Sequence, residues 1–128
     1  MPAQTAAAST VHYTEGDTNG FTRTLLDTDG SALDLSAATA VTIRIGYARY
    51  SHYYSPYTVI VDDAACSIDA DPTTGKVTFT PASSSVMSPP GTYHYSYRIT
   101  WSDGTQETVP EVGYESLVIQ TRIGGQGA

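Results

Sequence analysis

The chain has 128 residues, 40% of them hydrophobic and 15% charged, and a formal net charge of −7. That length fits one domain that can bury about two-thirds of its unfolded surface without a metal or disulfide staple, and the composition is too apolar for a disordered chain. Its six basic residues (positions 23, 44, 49, 76, 98 and 122) and pI near 4.5 lack the dense cationic field that a phosphate backbone needs, so no nucleic-acid partner is expected.

The lone Cys66 has no internal disulfide partner, and with three scattered His it cannot build a four-ligand zinc site. The N-terminus has neither a basic n-region nor a strong apolar core, so no secretory signal is expected. The longest stretch without Asp, Glu, Lys or Arg, Val77 to Tyr97, holds three Pro and many Ser and Thr and does not read as a membrane helix. These features predict a soluble protein folded in a reducing cytoplasm, with no membrane partner.

Along the chain, residues 2–10 are small and polar and read as an extended arm; short strands follow at Val11 to Thr14 and Phe21 to Leu26. Ala40 to Gly46 alternates, with Val41, Ile43 and Ile45 on one face and Thr42 and Arg44 on the other. Further strands are expected at Thr58 to Val61, Cys66 to Ala70, Lys76 to Thr80 and Ser116 to Ile123, with at most one helical turn at Ser83 to Val86. The strongest strand is Thr92 to Ser102, where Tyr93, Tyr95, Tyr97, Ile99 and Trp101 share a face opposite His94, Ser96, Arg98 and Thr100. Asp29-Gly30, Asp71-Pro72-Thr73-Thr74-Gly75 and Asp103-Gly104 supply the turns. The pattern predicts an all-β chain: a single immunoglobulin-like β-sandwich of seven to eight antiparallel strands over residues 11–123, an arm at 1–10 and a flexible tail at 124–128. Tyr95, Tyr97, Ile99, Val41, Ile43, Val77, Phe79, Leu117 and Ile119 are the expected core, with Cys66 a small buried apolar residue beside Ile68.

Candidate chemistry is sparse. Asp27-Thr28-Asp29-Gly30 opens like a calcium loop, but Ala38 stands where the bidentate Glu would be. Asp62-Asp63 and Asp69-x-Asp71 add four carboxylates; turn and strand-end roles are the favoured reading, a calcium site the alternative. There is no nucleophile elbow, Gly-rich phosphate loop or zinc-protease motif, so neither catalytic residues nor a cofactor are expected.

Residues 47–57 hold five of the ten tyrosines, Arg49 and no acid. Tyrosine gives large amphipathic contact area at low entropic cost, so Arg49, Tyr50, Tyr53 and Tyr54 are expected in an interface. In the blander reading Tyr47 and Tyr57 end their strands and pack on the core edge, leaving Tyr50, Tyr53 and Tyr54 exposed. Ala6, Ala7 and Ala8 offer the arm little hold on its own domain and suit close contact with a neighbour.

Two stretches together carry a resemblance. The first is Leu26-Asp27-Thr28-Asp29-Gly30-Ser31-Ala32-Leu33-Asp34-Leu35-Ser36 followed by Val41-Thr42-Ile43-Arg44-Ile45. The second runs from Thr74-Gly75-Lys76-Val77-Thr78-Phe79 through Pro90-Gly91-Thr92-Tyr93 and Asp103-Gly104-Thr105-Gln106-Glu107-Thr108-Val109-Pro110 to Ser116-Leu117-Val118-Ile119. Their order resembles the N-terminal immunoglobulin-like domain of phage baseplate upper proteins and related modules of tailed-phage structural proteins. The resemblance implies a non-enzymatic virion protein, made in the host cytoplasm, whose partners are other phage structural proteins (capsid, neck or tail) and copies of itself. In the family the module precedes later receptor-reaching domains, whereas this sequence ends at Gly124-Gly125-Gln126-Gly127-Ala128; a small adaptor, neck or decoration component is therefore the expectation. The alternative is a carbohydrate-binding β-sandwich for host-surface attachment, with Tyr50, Tyr53 and Tyr54 stacking on sugar rings and Asp62 or Asp63 accepting from hydroxyls.

Overall fold

A computed structural model of the chain describes residues 4–5, 10–48, 57–110 and 115–121. Its strands are β1 (Gln4–Thr5), β2 (Val11–Thr14), β3 (Phe21–Leu26), β4 (Ala38–Ala48), β5 (Tyr57–Ile68), β6 (Lys76–Phe79), β7 (Gly91–Trp101), β8 (Gln106–Val109) and β9 (Glu115–Gln120). The helical content of the described residues is one 3₁₀ turn, Pro72–Thr74. Asp71 caps it by accepting from the Thr73 N–H, and Gly75 ends it at φ 69°, a left-handed conformation that favours glycine.

The fold is an all-β immunoglobulin-like sandwich. One sheet runs β5-β4-β7-β9-β2, with β8 beside the second half of β7; β3 and β6 form the core of the other, and β1 extends it. The two are joined through β5, which pairs with β4 as far as Cys66 and then with β6 at Ser67 and Ile68. All pairings are antiparallel except β2 with β9, which run in parallel with Val11 opposite Leu117.

Period-2 alternation sets the core. Tyr93, Tyr95, Tyr97 and Ile99 of β7 lie beside Val41, Ile43 and Ile45 of β4 and Leu117 and Ile119 of β9, all at most 1% exposed. Leu25, Val77 and Phe79 close the core from the other sheet, so all nine expected core residues are buried. Each such side chain contributes about 1.5–3 kcal/mol by leaving water. Phe21 of β3 links the sheets, its ring edge-on to both Tyr13 and Phe79 at 6.0 Å. Trp101 departs from the expected stripe: a register shift in β4 between Ala38 and Ala40 ends the regular ladder there, and the indole stays half-buried with Nε1 donating to Glu107 Oε1 at 3.3 Å.

Three further boundaries differ from the sequence reading. The two strands expected at Thr58 to Val61 and Cys66 to Ala70 are one continuous β5, because Asp62 and Asp63 form a bulge within it rather than a break. Tyr47 and Ala48 belong to β4 and Tyr57 to β5, so both ends of the expected 47–57 segment lie in strands. Within the expected free arm, Gln4 and Thr5 pair with Leu26 and Leu25 of their own domain.

Candidate interaction surface

The outer face of the larger sheet carries the polar half of the same alternation. Ile43 pairs with Ala64 and Ile45 with Val61, so two β5 residues, Asp62 and Asp63, stand opposite the single Arg44. This is a β-bulge, and Asp63 reaches it at φ 54°, a conformation that Asp tolerates better than most side chains. Both carboxylates meet the guanidinium: Asp62 Oδ1 accepts from Nε at 3.1 Å and lies 2.8 Å from Nη2, and Asp63 Oδ2 accepts from Nη2 at 3.1 Å. The hydrogen bond to Asp62, then the charge of Asp63, push the Arg44 pKa up further. About half of the Arg44 side chain remains exposed, so the cluster is a screened surface network that shapes the strand more than it stabilises it.

Next to it, Arg98 lies in one cross-strand row between Thr42 of β4 and Thr108 of β8. Arg44 pairs with Ser96, which puts the two arginines diagonal to each other on one face. Arg44, Asp63, Ser96, Arg98 and Thr108 line a recess of about 50 Å³. His94, farther along the same face, is partly buried, and that burial lowers its pKa.

Four further aspartates serve turns. Asp29, Asp34, Asp71 and Asp103 each sit two residues before a Ser or Thr, and each Oδ1 accepts from both the backbone N–H and the hydroxyl of that residue, at 2.9–3.1 Å and 2.6 Å. The paired bonds hold the Asp29, Asp34 and Asp103 carboxyls below their ordinary pKa. The Asp27 segment is one of these turns, with Gly30 N–H on the Asp27 carbonyl at 2.9 Å. Among the described residues no three His, Cys, Asp or Glu are placed to hold a metal ion. The motif Asp-x-Ser/Thr was the available signal, and it recurs four times in the sequence at these positions.

Below the sheet, Tyr95 and Tyr97 stack edge-on at 5.7 Å, and the Tyr97 hydroxyl is buried with no hydrogen-bond partner among the described residues. Burial raises the pKa of Tyr97, takes that of Tyr95 to about 12, and lifts the Cys66 thiol to about 12. A second recess, an open one of about 430 Å³, is lined by Glu15, Gly16, Ser84, Ser85 and Ser88.

The expected contact residues Arg49, Tyr50, Tyr53, Tyr54, Ala6, Ala7 and Ala8, with the tail 124–128, lie outside the described residues. Ala48 opposite Tyr57 is the last described pair of β4 and β5, next to the tyrosine segment in sequence. One residue earlier, Tyr47 packs edge-on against Tyr93 at 5.1 Å.

No family model and no curated protein matches the chain. Among solved structures it is similar to CopC from Methylosinus trichosporium OB3b, with a TM-score of 0.49 and 11% identity over 94% of this chain and 95% of that one.

Proposed function

We propose that this chain is a non-enzymatic structural protein of a bacteriophage virion, a small adaptor, neck or decoration component that works through protein–protein contacts. The resemblance in strand order supports this reading, and one structural observation carries it. The long antiparallel strands β4 and β5 pair as far as Ala48 with Tyr57, the residues that flank the acid-free, tyrosine-rich segment in the sequence. Aromatic area beside Arg49, on an otherwise acidic protein, is the chemistry of an interface core. Mass spectrometry of gradient-purified particles tests the reading directly. The chain is expected in the particle at fixed stoichiometry, and Tyr53→Ser with Tyr54→Ser is expected to deplete it there without unfolding it. A particle that lacks the wild-type chain overturns the reading.

A carbohydrate-binding module is the second reading, favoured by the recess at Glu15, where Ser84, Ser85 and Ser88 hydroxyls and a carboxylate suit a polyol. Glycan-array binding by the isolated chain, lost in Glu15→Gln, would select it.

A further inference from the structure

Arg98 sits near the middle of the outer sheet face and makes neither an ion pair nor a side-chain hydrogen bond among the described residues, although the chain holds thirteen acids to six bases. The reason is geometric. Asp62 and Asp63 on that face are held by Arg44, and the neutral Thr42 and Thr108 flank Arg98 in its cross-strand row. What remains is a recess of about 50 Å³ lined by Arg44, Arg98 and Asp63, two cations to one carboxylate, with Ser96 and Thr108 in its wall. An exposed pair of this kind is weak unless a wider contact desolvates it.

The same chain carries the matching group. In each of the four Asp-x-Ser/Thr turns, Oδ1 is occupied by the turn's own two hydrogen bonds, while Oδ2 accepts none from any other described residue. All four aspartates are exposed. A carboxylate clamped in this way is held in one orientation and presents a single free oxygen, so docking it orders little further.

We propose that the Arg98 recess is a socket for an Asp-x-Ser/Thr turn of a second copy of this chain, so that copies join face to rim. The two surfaces differ, so the contact is heterologous and repeats into a ring or a filament rather than stopping at a two-fold dimer. The proposal rests on the protein–protein reading above and deepens it by naming the partner and the groups that meet.

Sedimentation velocity of the full chain over a concentration series tests it. Wild type is expected to self-associate, and Arg98→Glu and Arg98→Gln to weaken that association about tenfold or more. Lys76→Glu is the control: it makes the same charge change as Arg98→Glu at an exposed site on the other sheet and is expected to leave association unchanged. Asn keeps the turn bonds but removes the charge, so Asp→Asn at 29, 34, 71 and 103 in turn is expected to reproduce the Arg98 loss at one position. A wild type that stays monomeric throughout overturns the proposal, as does equal weakening by Lys76→Glu or silence of all four Asn variants. A monomer that is still found in particles would sink the socket while leaving the virion reading in place.

Discussion

The ring of Phe21 on β3 meets the ring of Tyr95 on β7 edge-on, with centroids 5.9 Å apart and planes at 73°. This contact crosses the sandwich, and Phe21 also touches Tyr13 and Phe79, so one side chain ties β2, β3, β6 and β7 together. Phe21→Ala is expected to cost about 3 kcal/mol, the low end for a large aromatic because Phe21 keeps some exposure. Urea denaturation should show a lower midpoint with an unchanged slope.

The hydroxyls of Tyr93 and Tyr97 should behave oppositely. Tyr93 donates to the Pro89 carbonyl, whereas the buried Tyr97 hydroxyl has no partner among the described residues. Tyr93→Phe is expected to destabilise by about 1 kcal/mol, and Tyr97→Phe to be neutral or stabilising by about the same amount. Tyr97→Asp, which places a charge in the core, should cost several kcal/mol and leave little folded protein. Thermal melts of the three variants check the order.

Alkaline pH should unfold the domain. Burial takes Cys66 from its ordinary 9.0, and Tyr93 and Tyr95 from 10.0, each to about 12. Above pH 9–10 the unfolded chain loses these protons while the folded one keeps them, so stability is full below that range and falls as pH rises toward 12. At the acid end the sign reverses. The lowered carboxyls of Asp29, Asp34 and Asp103 stabilise the fold above their unfolded pKa, and that contribution is lost as pH falls through their folded values. A denaturant midpoint followed from pH 2 to 12 should trace a plateau with both shoulders, and Cys66 should react slowly with thiol reagents at neutral pH.

Substitutions in the bulge should separate charge from backbone. Arg44→Ala removes a half-exposed pair and is expected to cost less than about 1 kcal/mol. Asp63→Val places a β-branched residue at a positive φ and should cost more, about 2 kcal/mol. Asp63→Gly, which relieves φ while losing the carboxylate, should fall near Arg44→Ala. Chemical denaturation of the three variants gives the ranking.

The same distinction explains what the sequence could reveal. The β7 stripe was legible because strict alternation over Tyr93 to Ile99 encodes which face is buried, and a helix would scatter those residues. β5 was not, because two adjacent aspartates read locally as a turn. Their place inside a strand depends on Arg44, eighteen and nineteen residues away in sequence. Met87 is fully buried from an irregular segment with no period to announce it. The pairing of β1 with β3 likewise depends on a distant strand rather than on any local pattern. The turns at Asp29, Asp71 and Asp103 are legible from their Gly and Pro, whereas the one at Asp34, which has neither, is not, nor is the geometry that all four share.

The parallel pairing of β2 with β9 has a mechanical consequence. Val11 lies at one end of the paired segment and Gln120 at the other. Tension entering before Val11 and leaving after Gln120 therefore runs along the strand axes and loads all the bonds of the β2–β9 ladder together, in shear. An antiparallel pair pulled from adjacent ends would instead unzip one bond at a time. A domain built this way resists stretching along its length, and neighbours attached at its two ends would transmit force through a single stiff link.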